Sequence, residues 1–183
     1  MKIIQTTLPG VQIIEPKTFR DERGFFRETW NSLKLSELGL SACFVQDNHC
    51  RSHQGTLRGL HYQLDNVQGK LVRVIHGAIV DVVVDLRLKS QTFGEHLVVE
   101  LNEDNNYTLW IPPGFAHGFY TVSKSADVFY KVTDYYSPLQ ERVLKWDDPA
   151  LAINWQLIEG QAPLLSLRDQ SGLAFADAEA FDM

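Results

Sequence analysis

Three side chains that could carry acid–base chemistry lie between positions 58 and 70. They are Arg58 and His61, in the segment GTLRGLHYQ, and Lys70, in QGKLVRV. An unperturbed imidazole has a pKa of about 6.5, so His61 could remove a proton near neutral pH as a general base. The two cations could then stabilise the negative charge that remains. From spacing alone, His61 could equally be a core or strand-edge histidine that bonds a backbone carbonyl.

A second histidine, His117, follows a turn in the segment IPPGFAHGF. This segment matches PxGxxH, the second motif of cupin barrels. Metal-binding cupins also carry a first motif close to HxHxxxxE, but here the corresponding segment reads HYQLD, with Gln63 in place of the second histidine. Zinc, iron and manganese normally take three or more protein ligands, so His61 and His117 alone make a poor metal site. We therefore expect a cupin-type lumen without a bound metal.

The segments around these residues predict strands rather than helices. Runs rich in Val, Ile, Thr, Tyr and Phe alternate with Gly and Pro, which is typical of a mainly β protein. The predicted strands are 44–51, 56–63, 70–76, 79–86, 96–101, 107–111, 118–122 and 128–134. We predict a cupin-type β-barrel of the jelly-roll class with a few short helices.

Two details refine this prediction. In the strand 79–86, valines alternate with Asp81 and Asp85, which predicts one face in the core and one wetter face that a polar lumen would accommodate. A short helix is predicted from Asn31 or Ser32 through Leu38, and another in the range 148–153.

Composition limits the possible functions. A chain of 183 residues, 44% of them hydrophobic, predicts one domain over residues 1–183. The net charge of -6 argues against nucleic-acid or anionic-membrane partners, and no apolar run approaches the roughly 20 residues that span a bilayer. The N-terminus lacks an export signal. Cys43 and Cys50 are expected to be buried, unpaired thiols on opposite strand faces, which favours the cytoplasm.

Six segments together resemble the dTDP-4-dehydrorhamnose 3,5-epimerases. They are GTLRGLHYQ, QGKLVRV, IPPGFAHGF, YKVTDYY, WDDP and DERGFFRE, and with the segment SLRD the resemblance runs from residue 21 to residue 169. It implies an isomerase that acts on dTDP-4-dehydro-6-deoxy-D-glucose, inverts C3 and C5 beside the C4 ketone, and yields dTDP-4-dehydro-L-rhamnose. It implies no metal and no cofactor.

The resemblance also implies the roles of individual residues. His61 becomes the base, oriented by Asp169 in the segment SLRD, and Tyr130 becomes the acid, with Lys70 near the enolate. Tyr136 is implied to stack on the thymine. Tyr130 and Tyr136 are six residues apart, an even spacing that puts them on one side if the strand stays regular that far.

Further positions are implied to bind the nucleotide-diphospho sugar. These positions are Arg23, Glu28, Gln46, Asn48, Arg58, His117, Tyr136, Glu141 and Arg168. Arg168 stands where the family usually has lysine, which exchanges a point charge for a planar fork. Gln46 and Asn48 share a strand face by parity, whereas Arg58 and His61 share one only if Gly59 marks a β-bulge.

The family resemblance implies a homodimer to which about residues 1–40 contribute. Three alternatives remain. An enzyme that inverts only C3 or only C5 of a related nucleotide deoxysugar would use the same base and acid. A metal-dependent cupin is disfavoured by the incomplete first motif, and a non-catalytic sugar-binding barrel would not need both His61 and Tyr130.

Overall fold

The computed structural model describes residues 1–183 and is mainly β, as predicted. The strands are β1 Lys2–Gln5, β2 Gln12–Glu15, β3 Thr18–Asp21, β4 Gly24–Arg27, β5 Gln46–His53, β6 Leu57–Gln63, β7 Lys70–His76, β8 Ala78–Asp85, β9 His96–Asn102, β10 Thr108–Ile111, β11 Phe115–Thr121, β12 Ser125–Val132 and β13 Glu141–Val143. The helices are α1 Ser32–Glu37 and α2 Leu167–Gln170, with a 3₁₀ turn at Phe175–Asp177. No helix is both long and apolar enough to cross a membrane.

The strands form two antiparallel sheets and a separate hairpin. The six-stranded sheet has the order β1-β2-β10-β7-β12-β5, and the five-stranded sheet has the order β13-β6-β11-β8-β9. Strands β3 and β4 pair only with each other. No strand pairing joins the two sheets, so the jelly roll is an open sandwich rather than a closed hydrogen-bonded barrel.

Apolar side chains from both sheets form the core between them. Val72 and Val128 of the six-stranded sheet pack in one cluster with Val83 and Phe119 of the five-stranded sheet. Two further clusters cover the outer faces. The C-terminal segment packs over the five-stranded sheet, and α1 packs with β2 and β7 of the six-stranded sheet.

The predicted wetter face of β8 is absent, because this strand is buried on both faces. Val82 packs outward against the C-terminal segment, in the same cluster as Trp155. Asp81 and Asp85 are fully buried, and each is held by a basic side chain rather than by solvent. The C-terminal segment covers the face with Val82, whereas Asp81 and Asp85 lie by parity on the face with Val83, which packs between the sheets.

All eight predicted strands are confirmed, with shifts of up to three residues at their ends. The five strands that were not predicted, β1 to β4 and β13, have four residues or fewer and are stabilised by pairing rather than by a long alternation. Helix α1 and its cap are confirmed, since the Asn31 side chain accepts a hydrogen bond from the Lys34 amide. The predicted helix at 148–153 is wrong. The Asp148 carboxylate there accepts hydrogen bonds from the amides of Ala150 and Phe175, which holds a turn.

The two cysteines are free thiols, but they differ from the prediction in burial. Cys43 lies before β5 begins and is exposed, whereas Cys50 lies within β5 and is half-buried. The expectation that both are buried, on opposite faces of one strand, is therefore wrong for Cys43.

A β-bulge in β6 places the first histidine. His61 pairs with His117 of β11, whereas Arg58 pairs with Phe119, so two residues of β6 lie opposite one residue of β11 between these pairs. Gly59 lies within the bulge with φ +121°, and a Cβ there would lie 2.5 Å from the Cα of Gly118. The bulge resets the alternation between Arg58 and His61, as the sequence predicted. Only glycine fits where the two paired strands approach each other this closely.

We expect Gly59→Ala to lower the free energy of unfolding by about 3 kcal/mol, because it combines an unfavourable φ with an overlap of backbone atoms. Gly39→Ala is the matched control. Gly39 also has a positive φ, +88°, but nothing lies within 4 Å of the position that a Cβ would take there. That variant should lose about 1 kcal/mol. Urea denaturation measures both losses. Equal losses would contradict the claim that the close approach of β6 to β11 requires glycine at position 59.

Candidate active site

A cavity of about 310 Å³ opens between the two sheets. Strands β5, β7 and β12 contribute to it from one sheet, and β6, β11 and β13 from the other, with α2 at its edge. Eight of the sequence-predicted site residues line it: Gln46, Asn48, His61, Lys70, Tyr130, Tyr136, Glu141 and Arg168. The fold therefore brings most of the predicted set into one place.

A buried carboxylate holds His61. The Nε2 of His61 lies 2.7 Å from Oδ1 of Asp169, which also accepts a hydrogen bond from the Gly59 amide at 3.1 Å. The Ser166 hydroxyl donates to the other carboxylate oxygen at 2.6 Å. Burial alone would raise the pKa of Asp169, but the hydrogen bonds from His61, Ser166 and Gly59 outweigh it and lower the pKa to about 2.

This arrangement sets the tautomer of the imidazole. An ionised carboxylate only accepts hydrogen bonds, so Nε2 of His61 must carry a proton and donate it to Asp169. In a neutral ring the other nitrogen, Nδ1, then has a free lone pair. His61 lines the cavity and is partly exposed there. This pair, the His61–Asp169 dyad, can therefore accept a proton from a bound molecule.

Lys70 lies beside the dyad on the opposite sheet. Its Nζ donates to the backbone carbonyl of His61 at 3.2 Å. Burial lowers the pKa of Lys70 to about 8, while the nearby carboxylates of Asp81 and Glu141 act in the other direction. The ammonium form still predominates at pH 7, so a positive charge faces the cavity.

His117 does not line the cavity but is buried next to His61 in the paired strand. Its Nε2 lies 2.9 Å and 3.0 Å from the two carboxylate oxygens of Asp81. Burial raises the pKa of Asp81, and His117 and Lys70 oppose that rise. The two cupin-motif histidines are thus bound to separate carboxylates, and no group of three or more His, Cys, Asp or Glu side chains is placed to hold a metal ion.

Tyr130 lies on the opposite wall from His61. It belongs to β12 of the six-stranded sheet, whereas His61 belongs to β6 of the five-stranded sheet. Burial raises the pKa of Tyr130 above its usual value of 10.0, and Arg58 is too weak a counter-influence to reverse this. The phenol therefore stays protonated at neutral pH and faces the cavity as a proton donor.

Three side chains close one edge of the cavity. The Tyr136 hydroxyl donates to Oε2 of Glu141 at 3.0 Å and accepts from the Arg168 guanidinium at 2.9 Å. Arg168 also forms an ion pair with Glu141. Strand parity does not explain the position of Tyr136. The strand would have to stay regular as far as Tyr136, but β12 ends at Val132 and a loop brings Tyr136 to the site.

The remaining predicted residues differ in their placement. Gln46 and Asn48 are adjacent on β5, joined by a hydrogen bond of 2.9 Å, as parity predicted. Arg58 does not line the cavity. Its Nε donates to the Ser52 hydroxyl, and the side chain is exposed.

The N-terminal pair of predicted residues lies outside the cavity of its own chain. Arg23 forms an ion pair with Asp21 in the exposed β3–β4 hairpin, and Glu28 pairs with Lys34 of α1. One chain alone therefore does not bring Arg23 and Glu28 to the cavity.

Five lining residues were not predicted as site residues: Tyr62, Gln63, Val67, Gln68 and Phe115. Gln63 was noted only as the replacement for a metal ligand. Strand parity could have identified it, because it is two residues from His61 on β6. Val67 and Gln68 lie in a loop, where no regular alternation of side chains predicts which residues face the cavity.

Known proteins resemble this chain over nearly all of its length. A family model described as dTDP-4-dehydrorhamnose 3,5-epimerase matches residues 5–177. The enzyme of that name from Pseudomonas aeruginosa is 49% identical over 182 residues, which is 99% of each chain. The one from Neisseria gonorrhoeae is 51% identical over 179 residues, 98% of this chain and 54% of that protein. This chain thus spans about half of the Neisseria protein.

A solved structure shares the fold. It is the dTDP-6-deoxy-D-glucose-3,5-epimerase from Legionella pneumophila in complex with dTDP-4-keto-L-rhamnose, with a TM-score of 0.93 and 47% identity. The alignment covers 97% of this chain and 94% of that one. Fold and sequence therefore agree on the same group of proteins.

We expect Asp169→Asn to lower the free energy of unfolding at pH 7 by about 2 kcal/mol, because Asp169 has a lower pKa when folded than its ordinary 3.8. The stabilisation is present above about pH 4 and is lost as the pH falls through about 2, below which the carboxyl is protonated in both states. Denaturation at a series of pH values compares the variant with the wild type. A difference that stays constant from pH 4 to pH 2 would contradict the assignment.

Proposed function

The chain belongs to the dTDP-4-dehydrorhamnose 3,5-epimerase family, and we propose that its cavity inverts C3 and C5 of dTDP-4-dehydro-6-deoxy-D-glucose. One observation carries the proposal. A histidine–carboxylate dyad on one sheet faces the same cavity as a protonated tyrosine on the opposite sheet. Inversion at carbon needs a base and an acid on opposite sides of the sugar ring, and the two groups to which we assign these roles lie on opposite walls.

His61 acts as the base. Its Nδ1 takes the proton from the carbon next to the C4 ketone, while Asp169 holds the other ring nitrogen and stabilises the imidazolium that forms. The electrons of the C–H bond move onto the ketone oxygen, giving an enolate. The Lys70 ammonium supplies positive charge for that oxygen. Because the substrate's own ketone accepts the electrons, the proposed steps need no cofactor.

Tyr130 acts as the acid. Its phenol proton goes to the carbanion carbon on the face opposite His61, which restores the ketone with inverted configuration. Burial raises the pKa of the phenol, so it remains protonated until the enolate forms. Solvent then removes the proton from His61 and reprotonates Tyr130, which returns both groups to their starting states. The same cycle serves the second carbon.

Other residues in and near the cavity bind the nucleotide part. We assign stacking on the thymine to Tyr136, whose hydroxyl is held by Glu141 and Arg168. A single guanidinium nitrogen of Arg168, Nη1, contacts both partners. Arg58 and Arg168 provide charge for the diphosphate in a protein of net charge -6. Gln46 and Asn48, which line the cavity, belong to the same binding set.

A homodimer completes the site in this proposal. Phe19, Phe25 and Phe26 of the β3–β4 hairpin are more than half exposed, an apolar surface that a second copy would cover. The hairpin also holds Arg23 away from its own cavity. We assign Arg23 and Glu28 to the cavity of the second copy, with about residues 1–40 forming the contact and residues 1–183 acting as one domain. The free thiols suit the cytoplasm.

We expect His61→Ala to lower turnover by about 10³-fold, because it removes the base. It should leave dTDP affinity within about twofold, since the ring contacts the sugar. Tyr130→Phe should still exchange the substrate protons at C3 and C5 with deuterated water, because the base remains. It should not invert the configuration of these carbons, because the acid is lost. Coupled turnover assays, calorimetry and NMR measure these quantities. His53→Ala, which alters an exposed histidine outside the cavity, is the control. Unchanged turnover in His61→Ala would contradict the assignment.

We expect Phe26→Asp to convert the protein from the mass of two chains to 20.9 kDa in light scattering, because it puts charge into an apolar contact. Its turnover at low substrate should fall as Arg23 and Glu28 leave the second cavity. Leu88→Asp changes an apolar side chain that is 53% exposed elsewhere and should leave the mass unchanged. A Phe26→Asp protein with the mass of two chains would reject this contact.

A further inference from the structure

The loop Asp134–Ser137 carries Tyr136, and it is held in place by side chains rather than by strand pairing. Strand β12 ends at Val132, and β13 begins only at Glu141. Four polar side chains bind the loop from outside. They are Gln46, Gln63, Asn66 and Gln68. Three of these four, the glutamines, also line the cavity.

Gln63 has the central place among them. Its Nε2 donates to the carbonyl of Tyr135 at 3.2 Å, and its Oε1 accepts from the amide of Ser137 at 2.9 Å. The same Nε2 donates to the carbonyl of Asn66 at 2.8 Å. Gln63 thus binds the backbone on both sides of Tyr136. Because the side chain is only 5% exposed, water cannot easily replace these bonds.

Only an amide side chain of this length meets both demands. The two loop contacts require one donor and one acceptor, which glutamine provides together and a carboxylate, an ammonium or an aliphatic group does not. Gln63 lies two residues from His61 on β6. Strand β6, which carries His61, the proposed general base, therefore also sets the position of Tyr136, the ring proposed to stack on the thymine.

We propose that Gln63 is a positioning residue for the nucleoside diphosphate part of the substrate, acting through Tyr136. It fixes the backbone of Tyr136 so that the ring meets the nucleobase without first having to be ordered. This inference rests on the stacking role given to Tyr136 above. It predicts that Gln63 contributes to ligand affinity and KM, whereas kcat at saturating substrate depends on the His61 dyad and Tyr130.

A double-mutant cycle tests the coupling. Gln63→Leu, Tyr136→Ala and the double variant are compared with the wild type by calorimetric titration with dTDP. We expect Tyr136→Ala and Gln63→Leu each to weaken dTDP binding by about tenfold. In the Tyr136→Ala background, Gln63→Leu should cost less than about twofold. KM should rise in Gln63→Leu while kcat changes by less than about threefold.

Gln54→Leu is the matched control. Gln54 also donates from its amide to a backbone carbonyl, that of Val122, but it is exposed and lies outside the cavity. It should not alter dTDP binding. If Gln63→Leu does not fold, Gln63→Glu replaces it. Glutamate keeps the acceptor for Ser137 but loses both donors, and the same cycle with Tyr136→Ala then applies.

The outcomes separate the two proposals. Wild-type dTDP affinity in Tyr136→Ala alone would reject the stacking role, and with it this inference. A tenfold loss from the Gln63 variant that persists in the Tyr136→Ala background would reject only the positioning role. A fall in kcat with unchanged KM would also overturn it, because that result places Gln63 in the chemistry rather than in nucleotide binding.

Discussion

The buried carboxylate of Asp169 is the contact on which the site depends. It joins α2 to two positions of β6 that are more than 100 residues away in sequence, the amide of Gly59 and the imidazole of His61. An ionised carboxylate inside a protein is stable only when hydrogen bonds replace its water, and here the amide, the imidazole and the Ser166 hydroxyl do so. The same bonds that stabilise the charge also fix the histidine tautomer. Stability and reactivity therefore depend on one set of contacts.

The sandwich explains how an acid and a base can act on opposite sides of one ligand. Two sheets packed face to face give a lumen with two walls, and each wall carries one of the two groups. The lumen is also where charge is concentrated, because Lys70 and the Asp81–His117 pair lie beside the dyad. Burial shifts the pKa of Lys70 and Tyr130 in opposite directions, towards weaker retention of the lysine proton and stronger retention of the phenol proton.

Local sequence patterns predicted those features that depend on local geometry. The eight predicted strands, the α1 cap, the shared face of Gln46 and Asn48, and the bulge at Gly59 all follow from period-two alternation or from turn chemistry. The pairing of Asp169 with His61 lay beyond such patterns, since 108 residues separate them, and only the family resemblance indicated it.

The errors have a common physical origin in long-range contacts. The Asp81 face of β8 is buried between the sheets, where Asp81 pairs with His117 of β11, and the short strands β1 to β4 and β13 exist through pairing with partners that no local pattern specifies. Tyr136 reached the predicted site by a loop held by Gln63, not by strand parity. Side-chain hydrogen bonds to loop backbone leave no periodic signal, which is why Gln63 was not among the predicted site residues.

The most direct test follows the protons themselves. The protein is incubated with dTDP-4-dehydro-6-deoxy-D-glucose in deuterated water, and NMR records deuterium and configuration at C3 and C5. The two-wall mechanism predicts deuterium at both carbons, with inversion at each and dTDP-4-dehydro-L-rhamnose as product. Label at C3 alone would contradict double inversion, and no label at either carbon would contradict proton abstraction by His61.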